Sequence, residues 1–197
     1  MRRTFIIFSF LLSLLATPLL ASAQTSQVDW HAFIQKPTLK SHQSLSRSIH
    51  DCIIKKCQSN ILPDEDTFYN LLKLVKNGNR YALDVAFQIH PFYQDNASSS
   101  EDLDRSMGMS ITLNPRFFLE EAKKYSFSDK ELSYIAPTTS ESAIDNLEMM
   151  RREQQQRIRA LYKVKERNLL ELRNRLIAMI QSEIDEYSKL PNNALGK

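Results

Sequence analysis

The chain is predicted to be all-α: a small body of short antiparallel helices followed by a long C-terminal helix. Only three glycines occur among 197 residues. Apolar residues recur at three- and four-residue spacing between prolines and Asn-Gly stops, and alternating β-branched runs of the kind that form strands are missing. The short helices share no recurring motif, so an amphipathic bundle is expected rather than a repeat array.

The first element is an export signal over residues 1–23. Arg2 and Arg3 supply a positive start, Phe5 to Leu15 is almost wholly apolar, and Ala21-Ser22-Ala23 offers small residues for cleavage. An uncleaved anchor is the weaker reading, because Ser13, Thr17 and Pro18 interrupt a run already short of the roughly 20 apolar residues a span needs. Arg2-Arg3-Thr4-Phe5-Ile6 imitates a twin-arginine signal, but the pair lies too close to Met1 and the run is too apolar. A periplasmic or secreted product beginning near Gln24 follows.

Residues 24–40 are polar, contain Pro37 and show no periodicity, so they are read as a flexible leader onto which Trp30 and Phe33 can dock. A helix then runs through Leu45, Ile49 and Ile53. Cys52 and Cys57 are the only cysteines, and an oxidising compartment favours their pairing as a disulfide. An unbroken helix holds positions five apart too far from each other for a relaxed bridge, so this helix must end or distort near Cys57. The short loop would contribute on the order of 2 kcal/mol in the chain-entropy picture.

The next two helices form an antiparallel hairpin. Pro63-Asp64-Glu65-Asp66 places acids in a first turn, where the helix dipole favours them, and Phe68, Leu71, Leu72 and Val75 form an apolar face. Asn77-Gly78-Asn79 stops this helix and starts another carrying Tyr81, Ala82, Val85, Ala86 and Ile89 as far as Pro91. After a polar loop from Gln94 to Ser100, Ser100-Glu101-Asp102 is read as a cap before Leu103, Met107 and Ile111. Asn114-Pro115 opens a helix bearing Phe117, Phe118, Leu119, Ala122 and Tyr125. Ser128 with Glu131 fits a capping box for a brief helix before Pro137, closing a globular domain over residues 41–136.

From Ser140 to Lys189 there is neither proline nor glycine, and good helix formers dominate. The reading favoured is one basic amphipathic rod within residues 137–190, about 75 Å long at 1.5 Å per residue. A hairpin bent near the polar interval Arg151 to Arg157 is the alternative. Ile144, Leu147 and Met150 form one stripe; Ile158, Leu161, Leu169, Leu172, Leu176, Ile180 and Ile184 form a second. A long coiled coil is disfavoured because the seam through Leu161 and Leu172 meets Lys165 and Asn168; packing of Leu172 to Tyr187 against the globular body or a second copy is the better way to bury the stripe. Residues 191–197 are read as a frayed tail.

Tyr81-Ala82-Leu83-Asp84-Val85-Ala86-Phe87, Glu101-Asp102-Leu103-Asp104 and Asn114-Pro115-Arg116-Phe117-Phe118-Leu119 together resemble a pattern in uncharacterised exported bacterial proteins of all-helical build. The resemblance covers some 40 residues, mostly caps and core positions. It implies a small helical domain in the cell envelope, transfers no activity, and leaves the arginine-rich C-terminal region outside it.

Charge is uneven. Between Arg151 and Arg175 nine basic residues face only Glu153, Glu166 and Glu171, a net charge of about +6 in a chain whose total is +3. Export and the scarcity of interleaved aromatics argue against nucleic acid. No nucleophile elbow, metalloprotease helix or phosphate-cradling loop occurs. The clusters Asp64-Glu65-Asp66 and Glu101-Asp102-Asp104 are explained by helix capping, and His50 with Cys52 supplies too few ligands for a metal, so no cofactor is expected.

The leading expectation is a non-enzymatic envelope binding or adaptor protein. Its C-terminal helix would bury Leu169, Leu172, Leu176 and Ile180 against an envelope protein or a second copy, with Arg157, Arg159, Arg173 and Arg175 steering the encounter. An anionic membrane surface is a further candidate partner. The alternatives are an immunity-type inhibitor of a secreted toxin, or an envelope hydrolase using one of the clusters of carboxylates, which a pocket gathering His90 with Glu101 or Asp104 would favour.

Overall fold

The computed structural model describes residues 29–56 and 61–189. The described residues form nine α-helices and no strand: α1 (Trp30–Gln35), α2 (Leu39–Ile54), α3 (Glu65–Lys76), α4 (Arg80–Ile89), α5 (Ala97–Leu113), α6 (Pro115–Lys124), α7 (Asp129–Ile135), α8 (Leu147–Leu161) and α9 (Leu170–Lys189). The all-α expectation holds. The expected signal over residues 1–23, Cys57 and the tail over 191–197 lie outside the described residues.

Local chemistry sets the helix ends. Asp64 caps α3 by accepting from Thr67 N at 2.9 Å, and Asn79 caps α4 through Ala82 N at 3.0 Å. Between them Gly78 adopts φ +76°, a left-handed conformation that costs glycine little and lets the hairpin reverse. Ser128 and Glu131 form the anticipated capping box of α7. α2 ends at Ile54, and Lys56 turns to φ 56°, so the helix stops before Cys57.

Two boundaries differ from those read in the sequence. Residues 24–40 are not a flexible leader throughout: from Asp29 onward they form α1 and the start of α2. Trp30 and Phe33 enter the core there, and Trp30 Nε1 donates to Ile61 O at 2.9 Å. α5 begins at Ala97 rather than after Ser100, because Asn96 accepts from Ser99 N and caps it earlier.

Residues 140–189 are not one rod. Asn146 caps a new helix by accepting from Met149 N at 3.0 Å, and α8 stops at Leu161. A short connection carrying buried Val164 and Leu169 then leads into α9. Neither break needs glycine or proline: Asn146 offers a better partner for the backbone, and burial of Val164 draws the chain inward. α9 returns antiparallel to α8, with Arg151 near the start of α8 reaching Tyr187 O near the end of α9. The separate domain over 41–136 therefore gives way to one core running from Trp30 to Ile184.

α5 is the hub of that core, packed against α3, α4, α6, α7 and α8. Its approach to α7 is closest at Gly108, where an added Cβ would lie 2.3 Å from Ile135 O. Beside it the guanidinium of Arg157, only 1% exposed, donates to Ala136 O at 2.8 Å. Gln154 reaches Pro137 O at 3.0 Å and Arg105 reaches Thr139 O at 3.2 Å. Three buried side chains thus hold the strap that leaves α7, while Glu153 accepts from Ser140 N at 2.8 Å. Arg157 meets the C-terminal, partially negative end of α7, which offsets part of the cost of burying its charge.

Gly108→Ala should therefore reverse the usual helix preference. Alanine favours an exposed helix interior by about 1 kcal/mol, but the clash with Ile135 O should leave a net loss of about 1–3 kcal/mol. Urea denaturation of the two proteins checks this; equal or greater stability of the variant would contradict the close packing.

Candidate functional site

The eight residues expected to bind a partner do not form one surface. Leu169, Leu172, Leu176 and Ile180 are buried in the protein's own core, as is Arg157. The reason is the break after Leu161, which lets α9 fold back so that α6, α7 and α8 cover its stripe. The expectation that this stripe docks a partner is corrected accordingly, and the packing of Leu172 to Tyr187 against the protein's own body is what the fold adopts. Arg159 stays exposed, Arg175 pairs with Asp129 at 2.8 Å, and Arg173 donates to Val164 O at 2.8 Å. The expected disulfide joins buried Cys52 to Cys57, which lies outside the described residues.

What remains outward is a basic corner where α8 turns into α9. Arg159, Lys163, Lys165 and Arg167 are exposed, and among the described residues none enters an ion pair. Tyr162 stands among them at 53% exposure, with Arg173 6.0 Å over its ring. Glu166, the one acid in this connection, is engaged by Arg116 at 3.1 Å. Along α8 a groove of about 460 Å³ follows between Arg151, Arg152, Gln155 and Arg159, where Glu148 also lines it and pairs with Arg152 at 3.1 Å.

A buried polar network lies between α2, α4 and α6. Asp84, 3% exposed, accepts from Lys124 Nζ at 2.5 Å, Gln88 Nε2 at 2.7 Å and Tyr125 OH at 3.0 Å, and pairs with His42 Nε2 at 2.5 Å. Burial alone would raise Asp84, but the bonds from His42, Glu121 and Lys124 hold its carboxyl far below the ordinary range. Burial, together with the hydrogen bond shared with Asp84, pushes Glu121 up to about 7 against the pull of Lys124. The two neighbouring carboxyls are thus pushed in opposite directions, Asp84 down and Glu121 up. Ser46 Oγ contacts the same His42 Nε2 at 3.3 Å, so Ser46, His42 and Asp84 are not a nucleophilic triad, which needs opposite ring nitrogens. The sequence carried one signal for this network: an acid inside the apolar run Tyr81 to Phe87.

A second constellation forms a cleft of about 620 Å³ between the end of α4, α5 and α7. His90 Nε2 meets Asp104 Oδ1 at 2.8 Å, and His90 Nδ1 is buried with no partner among the described residues. This is the His90 and Asp104 pairing that the hydrolase alternative required, whereas Glu101 instead binds Arg105 at 2.5 Å. Among the described residues no serine, threonine or cysteine side chain bonds the opposite nitrogen of His90, and the nearby Ser128 Oγ donates to Glu131 at 2.6 Å. Although burial opposes it, the Ser128 bonds hold Glu131 below its ordinary range. The other cluster, Asp64-Glu65-Asp66, caps and opens α3 as expected. Among the described residues no group of three or more His, Cys, Asp or Glu could hold a metal, and no helix is long and apolar enough to cross a membrane.

Comparison with protein-family models, with curated proteins and with solved structures finds no match.

The Asp84 network makes stability depend on pH in a defined direction. Glu121 is raised from 4.5 to about 7, so its protonated form stabilises the fold fully below pH 4.5 and loses that contribution as pH rises to 7. The Asp84 contribution is present above its ordinary value of 3.8 and is unchanged in this window. Glu121→Gln, permanently neutral, should flatten the decline between pH 5 and pH 8 by about 1 kcal/mol, a value reduced for solvent screening. Urea midpoints of both proteins at the two pH values test this; parallel profiles would contradict the raised Glu121.

Proposed function

We propose that this is a non-enzymatic cell-envelope binding protein that docks on an anionic membrane surface through the basic corner joining α8 and α9. In this reading residues 1–23 direct export and are removed, and Cys52 and Cys57 pair in the oxidising compartment. The observation that carries it is the exposed group Arg159, Lys163, Lys165 and Arg167 around Tyr162, which enters no ion pair among the described residues. Lysines and arginines near an anionic bilayer contribute about 1 kcal/mol each, and an aromatic ring suits the headgroup region.

Burial of the α9 stripe within the fold supports an electrostatic partner over the apolar one expected from sequence. It leaves α8 with one covered face and one charged face, and binding that is dominated by charge needs no apolar seam. Among the described residues neither His–Asp constellation has a hydroxyl or thiol on its free ring nitrogen, which weighs against a serine- or cysteine-type hydrolase but not against one using carboxylates.

The chain from Gln24 onward, mixed with phosphatidylglycerol-containing or pure phosphatidylcholine vesicles and sedimented, tests the proposal. Binding should require the anionic lipid and weaken as salt rises. Lys163→Gln with Lys165→Gln should lower partitioning about 30-fold, the equivalent of about 2 kcal/mol. Equal binding to both vesicles, no binding at low salt, or an unaffected double variant would each overturn it.

A further inference from the structure

We infer that two copies of this chain pair antiparallel along α8 and α9, each setting its basic corner against the acidic end of the other. The dimer goes beyond the membrane reading and needs no lipid.

The outward side chains of the two helices are sorted by sign. Because α9 returns antiparallel to α8, the start of α8 and the end of α9 share one end of the pair, where Arg151 reaches Tyr187 O. Asp145, Asp185 and Glu186 are exposed at that end, with Glu183 half-buried beside them. The opposite end carries the exposed cations Arg159, Lys163, Lys165 and Arg167. Between the two ends Gln155, Gln156, Ala178 and Gln181 are exposed and uncharged. Of the charges that run against this trend, Arg151 serves Tyr187 O, Arg152 and Glu148 cancel each other at 3.1 Å, and Glu171 and Lys189 follow the dipole of α9.

Acids alone would mark no site; the partner is assigned by a complementary basic end on the same chain. Asp185 and Glu186 crowd the last turn of α9, where the helix dipole disfavours acids, so they do not serve the helix itself. Nor do the two ends neutralise each other within one chain. α9 has 20 residues and spans about 30 Å, whereas salt at physiological strength screens exposed charges beyond about 8 Å. Among the described residues neither Asp185 and Glu186 nor the four cations of the corner enter an ion pair. A second copy laid antiparallel brings each end onto its complement, and the contact forms twice about a two-fold axis, so the assembly closes as a dimer. A parallel pair would set base on base. Two helices side by side offer a face of about 30 Å by about 20 Å, on the order of 600 Å² per copy against roughly 800 Å² in a standard interface. A reversible, salt-sensitive dimer follows.

Analytical ultracentrifugation of the chain from Gln24 onward, without lipid, tests the pairing. The protein should be a concentration-dependent dimer at about 20 mM salt and a monomer at about 500 mM. Lys163→Glu with Lys165→Glu makes both ends acidic, and Asp185→Lys with Glu186→Lys makes both basic; each double variant alone should dimerise at least tenfold more weakly. All four positions are exposed, and an equal mixture of the two variants should restore the dimer by pairing unlike copies. Asp185→Lys with Glu186→Lys should not lower vesicle binding, so the dimer and the membrane reading fail separately. A monomer at both salt concentrations, a dimer that persists at high salt, species larger than a dimer, or a mixture of folded variants that stays monomeric would overturn the pairing.

Discussion

The architecture depends on a buried guanidinium. Arg157 sits at 1% exposure and donates to Ala136 O, the first carbonyl beyond α7. A cation placed there without a compensating acceptor would destabilise the fold by several kcal/mol. Burial draws its pKa down only to about 10, so the charge persists at neutral pH. Charge and helix end therefore require each other. Gln154 and Arg105 extend the same logic along the strap by serving Pro137 O and Thr139 O.

This clamp decides what each face of α8 can do. With its polar core residues engaged on the strap and Ala160 and Leu161 packed inward, α8 can present only its charged face to the outside. α9 then closes over it and removes the leucine stripe from solvent. The side chains left outward after folding are those of the basic corner and the polar clefts. Gly108 permits this arrangement because any larger residue would push the end of α7 away from α5, and the strap with it.

Much of the fold was legible because helix caps are local. Asp64, Asn79 and Ser128 satisfy backbone groups three residues away, so their types and spacing announce the helices directly. The long C-terminal region was misread because absence of glycine and proline permits a helix without requiring one. Asn146 was the overlooked cap, and burial of Val164 and Leu169 is decided by tertiary contacts that no local window contains. Arg157 was assigned to the surface by its charge, although it lies in register with Met150, Gln154 and Leu161 on the inward side. The Asp84 network joins residues some 40 positions apart, and only the isolated acid in an apolar helix hinted at it.

Hydrogen–deuterium exchange, resolved by residue on the intact chain, tests the clamp most directly. If Arg157 ties α8 to the hub, amides of Gln154 to Leu161 will be protected as strongly as those of Leu103 to Ile111, and Arg157→Met will lower both together. Rapid exchange along α8 while α5 stays protected, in either protein, would contradict the account.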